Sequence, residues 1–241
     1  MNRVVLITGA ASGLGLSLSE RFVRCGDRVY GVTQSKRHWK LAKERIPESK
    51  KFFLTQADVS SEIRVKQFVS TIRRETGRID ILINNAGYAN RPLRTEEETL
   101  NEFKRNLNHN LLSTFLMCKY TLPLFKEQKE GWLINISSLA GKRAVPRLSA
   151  YSASKFGVVA LTQCIAKENP EPRFKCIAVC PGGINTEMRE KVFGDASRQQ
   201  SADFVADKIL EILQGKIDVP SGGDIVIRHN QVTAIHPPPE V

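Results

Sequence analysis

The sequence predicts an α/β fold in which one parallel sheet of about seven strands is doubly wound, with helices on both faces. Two observations carry this prediction. Short, continuously apolar segments recur along the chain, and segments with helical periodicity separate them. Strands that are apolar on both faces are typical of parallel sheets buried under helices. No Pro-, Gly- or Ser-rich linker interrupts the pattern, so residues 1–241 are predicted to form a single domain.

The predicted elements alternate between strand and helix. Strands are predicted at residues 4–8, 28–32, 52–56, 80–84, 132–137, 175–180 and 224–227. Helices are predicted near residues 14–25, 37–46, 61–75, 98–128, 150–168 and 201–214. After the last strand, residues from about 228 to 241 include three consecutive prolines and are predicted to form an extended C-terminal tail.

Composition narrows the range of partners. The chain has 36 Lys and Arg against 25 Asp and Glu, a net charge of +11. The basic residues are scattered among acids, which favours a basic surface over a nucleic-acid-binding module. Its five cysteines form no CxxC pair and are read as structural thiols, with no metal site predicted. No apolar run approaches the ~20 residues of a membrane span, so we expect a cytoplasmic protein with no membrane partner.

A glycine-rich turn follows the first strand. The segment TGAASGLG (8–15) places Gly9, Gly13 and Gly15 around Ser12 and Leu14, just before a helix. Such a turn brings backbone N–H groups and the positive end of a helix dipole to one point, where a pyrophosphate binds. In the first βα unit of a parallel sheet, this indicates a Rossmann-type dinucleotide site.

The end of the second strand indicates which dinucleotide binds. Dinucleotide folds often carry an acidic residue here that holds the adenosine ribose. This chain instead has Thr33 and Ser35, followed by Lys36 and Arg37, with no acid among them. Two cations would attract a 2′-phosphate, so NADP(H) is predicted over NAD(H). The alternative is that Lys36 and Arg37 simply begin a solvated helix.

Further polar residues follow later strands. NNAG (84–87) comes after the fourth strand, and Ser138 follows the fifth. Asn110 lies within a helical segment, where it could instead bind its own helix backbone. Tyr151 and Lys155 are four residues apart, so a helix would present them on one face. An isolated pair of this kind is usually a surface helix with a snorkelling lysine.

Taken in order, seven motifs resemble the short-chain dehydrogenase/reductase family of the single-domain soluble type. They span residue 4 to about residue 227, and their register makes the surface-helix interpretation of Tyr151 a minor one. The motifs are TGAASGLG (8–15), Asp58-Val59, NNAG (84–87), Asn110 in HNL, Ser138 in NISS, YSASK (151–155) and PGGINT (181–186).

The resemblance implies a catalytic role for four of these residues. Tyr151 would exchange a proton with the substrate oxygen, and the Lys155 ammonium, together with an oxidised nicotinamide, would lower its pKa. Lys155 would also bind the nicotinamide ribose. Ser138 would hydrogen-bond the substrate oxygen. Asn110 would hold a water that relays protons to Lys155.

The resemblance also implies which other residues bind the cofactor. Asp58 and Val59 would flank the adenine, and Asn85, Ala86 and Gly87 would line the adenosine side. Pro181, Gly182, Ile184 and Thr186 would pass beside the nicotinamide. The alternatives are a helix cap for Asp58 and an ordinary strand-ending turn for the glycine pair.

The resulting functional hypothesis is an NADP(H)-dependent oxidoreductase that transfers a hydride between nicotinamide and a carbonyl or secondary alcohol. A reductase acting on a small or carrier-bound carbonyl is favoured, with the 3-oxoacyl-carrier-protein reductases as one model. The resemblance further implies a homo-oligomer, either a dimer or a tetramer. The alternative is a non-catalytic dinucleotide sensor or interaction protein on the same fold.

Overall fold

The computed structural model of the protein describes residues 2–46 and 50–239. Within those residues the strands form one sheet, in the order β3-β2-β1-β4-β5-β6-β7-β8. The strands are β1 (Val4–Thr8), β2 (Arg28–Thr33), β3 (Phe52–Gln56), β4 (Ile81–Asn84), β5 (Glu130–Ile136), β6 (Arg173–Pro181), β7 (Asp224–Arg228) and β8 (Gln231–His236). The first seven pair in parallel, and the order reverses between β1 and β4. The predicted doubly wound α/β fold is confirmed.

Helices cover both faces of the sheet because residues along each strand alternate between two cores. The helices are α1 (Gly13–Arg24), α2 (Lys36–Arg45), α3 (Glu62–Thr76), α4 (Leu100–Asn106), α5 (Ser113–Gln128), α6 (Ser149–Glu168), α7 (Glu187–Phe193) and α8 (Ala202–Leu213). In β1, Ile7 packs with α1 and α8 on one face, whereas Leu6 packs with α3, α5 and α6 on the other. Burying one such side chain fully contributes about 1.5–3 kcal/mol.

The C-terminal segment differs from the prediction, which was wrong in treating residues 228–241 as a tail. Gln231–His236 forms an eighth strand, antiparallel to β7. His229 and Asn230 both have positive φ, 51° and 55°. Two left-handed residues in succession are the geometry of a two-residue hairpin turn, whose twist matches the flanking strands. Residues 240 and 241 lie outside the described residues.

The helix predicted over 98–128 is interrupted. Between α4 and α5 the chain makes a π-helical turn at Leu107–Leu112. A π-turn widens the helix and alters its hydrogen bonding, and such turns occur frequently at functional sites. Asn110 lies in this turn and is fully buried.

Candidate active site

The carboxyl ends of β1 and β4 are fastened together at the point where the strand order reverses. Thr8 Oγ1 accepts hydrogen bonds from the backbone N–H groups of Asn85 and Ala86, both at 2.9 Å. In return, Asn85 Nδ2 donates to the Thr8 carbonyl at 3.0 Å. In open α/β sheets this reversal opens a crevice where ligands bind. Asn85 therefore holds together the two strand ends that border that crevice.

The glycine turn after β1 has the geometry of an anion cradle. Gly9 and Gly13 have positive φ, 65° and 49°, a conformation that favours glycine. A Cβ on Gly15 would lie 2.1 Å from the Gly9 carbonyl oxygen, so only glycine fits there. Ser12 begins α1 without a side-chain cap, and the first turn of the helix has no acid. Its N–H groups and dipole suit a diphosphate, with Leu14 buried behind them.

The two cations predicted to select the cofactor lie at the start of α2, after Ser35 caps that helix by accepting from the His38 N–H. Lys36 is exposed. Arg37 pairs with Glu187 of α7 at 3.0 Å, and His38 contacts the same carboxylate at 2.8 Å. Lys191 and these two residues lower the pKa of Glu187 to about 2. Arg37 thus already has an anionic partner, which a 2′-phosphate would have to replace.

The residues predicted to flank the adenine have structural roles. Asp58 Oδ1 accepts from the backbone N–H and the hydroxyl of Ser60, at 2.8 and 2.7 Å. Its other oxygen accepts from Gln34 beyond the end of β2, at 3.3 Å. Val59 is buried in the core. Asp58 therefore shapes the turn before α3 and reaches the end of β2, where Thr33 is buried. Adenine binding by Asp58 and Val59 stays a prediction.

Lys155 is a buried cation at the centre of the site. Lys155 is only 4% exposed, and its Nζ donates a hydrogen bond to the Ile136 carbonyl at 2.9 Å. Burial lowers the pKa of Lys155 to about 8. A Cβ on Gly87 would lie 3.5 Å from Lys155 Nζ and 3.0 Å from Asn110 Oδ1. Because Gly87 of NNAG has no side chain, the end of β4 can lie close to Lys155 on α6 and to Asn110 in the π-turn.

Tyr151 and Ser138 are brought together where β5 ends and α6 begins. Burial raises the pKa of the Tyr151 phenol, and the Ser138 hydrogen bond and the Arg189 charge act in the opposite direction. The prediction that Lys155, together with an oxidised nicotinamide, lowers this pKa stays a prediction. The Lys155 ammonium lies 5.8 Å from the Tyr151 ring centroid and donates to a carbonyl instead. Desolvation of the phenol outweighs the opposing contributions.

Asn110 braces the segment that follows NNAG. Its Oδ1 accepts from the Tyr88 N–H at 2.7 Å, and its Nδ2 donates to the Tyr88 carbonyl at 2.9 Å. Nδ2 also donates to Ser154 Oγ on α6 at 2.9 Å. The amide thus bonds neighbouring elements and not its own helix. It fixes the loop and α6 relative to each other beside Lys155.

The segment after β6 borders the glycine turn on the remaining side of the candidate site. The Gly182 N–H donates to the Ile227 carbonyl of β7 at 2.8 Å, so the chain stays hydrogen-bonded to β7 just after β6 ends at Pro181. Ile184 forms a bridge with Gln200. Thr186 caps α7, and its methyl group would lie 3.0 Å from a Cβ placed on Gly13. Residues predicted to border the nicotinamide therefore lie against the glycine turn.

Sequence reasoning missed two charged residues of α7. Glu187 links this helix to α2, and the Arg189 guanidinium lies close enough to Tyr151 for each to shift the pKa of the other. No spacing signal could have identified them, because their partners are distant in sequence. Among the described residues, no group of three or more His, Cys, Asp or Glu side chains could hold a metal ion. None of the helices described is long and apolar enough to cross a membrane.

Comparisons with known proteins agree with this geometry. The family model for short chain dehydrogenase matches residues 3–197. An NADPH-dependent pterin aldehyde reductase from Arabidopsis thaliana is 30% identical over 226 residues, which cover 93% of each chain. The chain belongs to the short-chain dehydrogenase/reductase family, and it is an oxidoreductase of that family.

Solved structures support the same assignment. A levodione reductase has a TM-score of 0.87 and 29% identity, covering 94% of this chain and 96% of its own. A 3-ketoacyl-(acyl-carrier-protein) reductase from Brucella melitensis, complexed with NADH, has a TM-score of 0.85 and 27% identity, with 93% and 96% covered. These relatives are reductases, and the family uses nicotinamide cofactors.

Proposed function

We propose that the protein is an NADP(H)-dependent carbonyl reductase in which Tyr151 is the proton donor. The observation that carries the proposal is the cluster at the end of β5. Ser138 lies close enough to Tyr151 to act on the pKa of its phenol. Lys155 Nζ lies 5.8 Å from the Tyr151 ring centroid and donates to the Ile136 carbonyl. A proton donor, an oxygen-binding hydroxyl and a buried cation thus share one edge of the dinucleotide cleft.

The raised pKa of Tyr151 suits reduction. A phenol whose pKa is raised is protonated at neutral pH and can donate to a carbonyl oxygen. Bound reduced nicotinamide would supply the hydride. Ser138 would donate to the same substrate oxygen and hold it near the phenol. Once the proton has left, Ser138 and Arg189 favour the phenolate, because both act to lower the pKa of Tyr151.

Lys155 is suited to return the proton. With a pKa of about 8, it exchanges a proton readily near physiological pH. Asn110 is a positioning residue in this account, because it fixes the Tyr88 segment and Ser154 around the lysine. A water held near Asn110 would complete the relay to Lys155.

The preference for NADP(H) is supported by the chain after β2. Gln34 stands where an acid would bind the ribose, and Lys36 and Arg37 follow it. The Arabidopsis relative is named as NADPH-dependent, whereas the Brucella structure contains NADH. Selection of NADP(H) in this way requires the 2′-phosphate to replace Glu187 as the ion-pair partner of Arg37.

Two further proposals concern the setting of the enzyme. Exposed aromatic side chains on neighbouring helices, Phe103, Phe115 and Phe156, support a homo-oligomer, a dimer or a tetramer. We also propose that the enzyme acts in the cytoplasm on a small or carrier-bound carbonyl, by analogy with the reductases named above.

The test is cofactor oxidation across a carbonyl panel, with NADPH and NADH compared for the wild type and Tyr151→Phe. We expect turnover with NADPH and a loss of about 10²–10⁴-fold in the variant, the usual contribution of a general acid. Undiminished turnover in Tyr151→Phe would reject the proposed donor. NADPH binding without turnover on any carbonyl would favour a dinucleotide sensor.

A further inference from the structure

Within residues 2–46 and 50–239, Arg189 forms no ion pair, although it lies beside the proposed proton donor. Its guanidinium lies over the Phe193 ring, 4.1 Å from the centroid. Its Nε is buried and has no hydrogen-bond partner among the described residues. Its backbone N–H donates to Thr186 Oγ1, which ties the start of α7 to the segment after β6. Leaving a buried donor of a charged group unpaired is costly.

The nearby groups do not neutralise this cation. On the same helix, Glu187 is already bound by Arg37, His38 and Lys191. The phenol of Tyr151 is neutral at physiological pH, because burial raises its pKa. Partial burial lowers the pKa of Arg189, in keeping with its buried Nε. A guanidinium that is partly buried and has one unpaired N–H is suited to bind an anionic oxygen group.

The position of Arg189 indicates whose anion it binds. Arg189 lies on α7, directly after the segment that borders the glycine turn, and acts electrostatically on the group that would protonate the carbonyl. We infer that Arg189 recognises a carboxylate on the carbonyl substrate, so that the enzyme prefers oxo acids to neutral carbonyls. This inference rests on the proposed reductase function and narrows its substrate class.

A second source of anionic oxygens is the diphosphate of the cofactor. The glycine turn and the uncapped start of α1 already offer N–H donors for that group. Arg189 is therefore assigned to the substrate. The two sources are separable, since loss of a substrate contact leaves cofactor affinity intact.

The experiment compares 3- and 4-formylbenzoate with their uncharged primary amides, using NADPH. The variants are Arg189→Met, Arg189→Lys and Arg198→Met; the last removes an exposed cation from the same segment and serves as the charge control. For the wild type we expect the acids to exceed the amides in kcat/KM. In Arg189→Met, kcat/KM for the acids should fall by about 10- to 100-fold, the size of a lost charged hydrogen bond. Any effect of the variant on the Tyr151 phenol is shared by acids and amides, so the acid-to-amide ratio of kcat/KM should fall by the same factor, and Arg189→Lys should be intermediate.

Calorimetric binding separates this inference from the proposed function. The affinity of 4-formylbenzoate for the enzyme, with and without NADP⁺, should fall in Arg189→Met by the same factor, whether or not the wild type turns over. Selective loss of acid binding in an inactive enzyme would support the inference and reject the reductase proposal. Equal losses for acid and amide would overturn the inference, as would weaker NADP⁺ binding with an unchanged acid-to-amide ratio.

Discussion

The buried Lys155 ammonium should make the stability of the protein depend on pH in a defined way. Its pKa falls from the ordinary 10.5 to about 8 because of burial, a difference that corresponds to about 3 kcal/mol. The folded state disfavours the protonated form, so this destabilisation is fully present below pH 8. It fades as the pH rises toward 10.5, where lysine in the unfolded chain also loses its proton. Stability therefore increases with pH in this window.

Lys155→Met removes the titrating group, and comparing it with the wild type cancels the contributions of all other groups. The variant also leaves the Ile136 carbonyl without its donor, at a cost of about 1–3 kcal/mol that does not vary with pH. Between pH 7 and pH 9.5, the wild type should gain about 2 kcal/mol of unfolding free energy relative to the variant.

Urea unfolding followed by tryptophan fluorescence at several pH values measures this difference. Lys66→Met, the same change at an exposed lysine on α3, is the control and should stay parallel to the wild type. If the wild type and Lys155→Met also run parallel from pH 7 to pH 9.5, Lys155 is not desolvated. The account of a cation held in the site at the expense of stability would then be wrong.

Four further substitutions test the cleft. Gly15→Ala would place a Cβ against the Gly9 carbonyl, so NADPH affinity by fluorescence titration should fall at least about 10-fold; unchanged affinity would remove the diphosphate from this turn. Arg37→Ala should weaken the binding of NADPH about 10-fold and that of NADH less than twofold. Glu187→Gln, which releases Arg37, should strengthen the binding of NADPH alone. Equal effects on the affinities of both cofactors would overturn the assignment. Arg189→Met should move the acidic, rising limb of the pH profile for alcohol oxidation to higher pH, because losing the cation favours the protonated phenol; an unmoved limb would contradict the proposed coupling.

Local patterns were sufficient to predict most of the sheet. β1 and β4 are short, apolar and fully buried, and their sequences carry that pattern directly. The eighth strand was missed because prolines 237–239 dominated the interpretation of the C-terminus. The available signal was the dipeptide His229-Asn230, since asparagine tolerates left-handed backbone and suits a two-residue hairpin.

Contacts between distant residues could not be predicted in the same way. The Arg37–Glu187 pair joins residues 150 positions apart, and only the fold brings them together. The π-turn around Asn110 follows from packing against the Tyr88 segment and α6, not from helical periodicity. Motif order therefore placed Ser138, Tyr151 and Lys155 at one edge, whereas the electrostatics of Tyr151 required the structure. There, burial raises the pKa of the Tyr151 phenol, while Ser138 and Arg189 act in the opposite direction.

Deuterium transfer tests the central claim most directly. With NADPH labelled at the nicotinamide C4 position and an aldehyde that the wild type accepts, mass spectrometry of the alcohol reports hydride transfer from the cofactor. The account predicts labelled alcohol from the wild type and a loss of at least about 100-fold in its rate of formation by Tyr151→Phe, with NADPH binding retained. Labelled alcohol formed equally fast by Tyr151→Phe would contradict it.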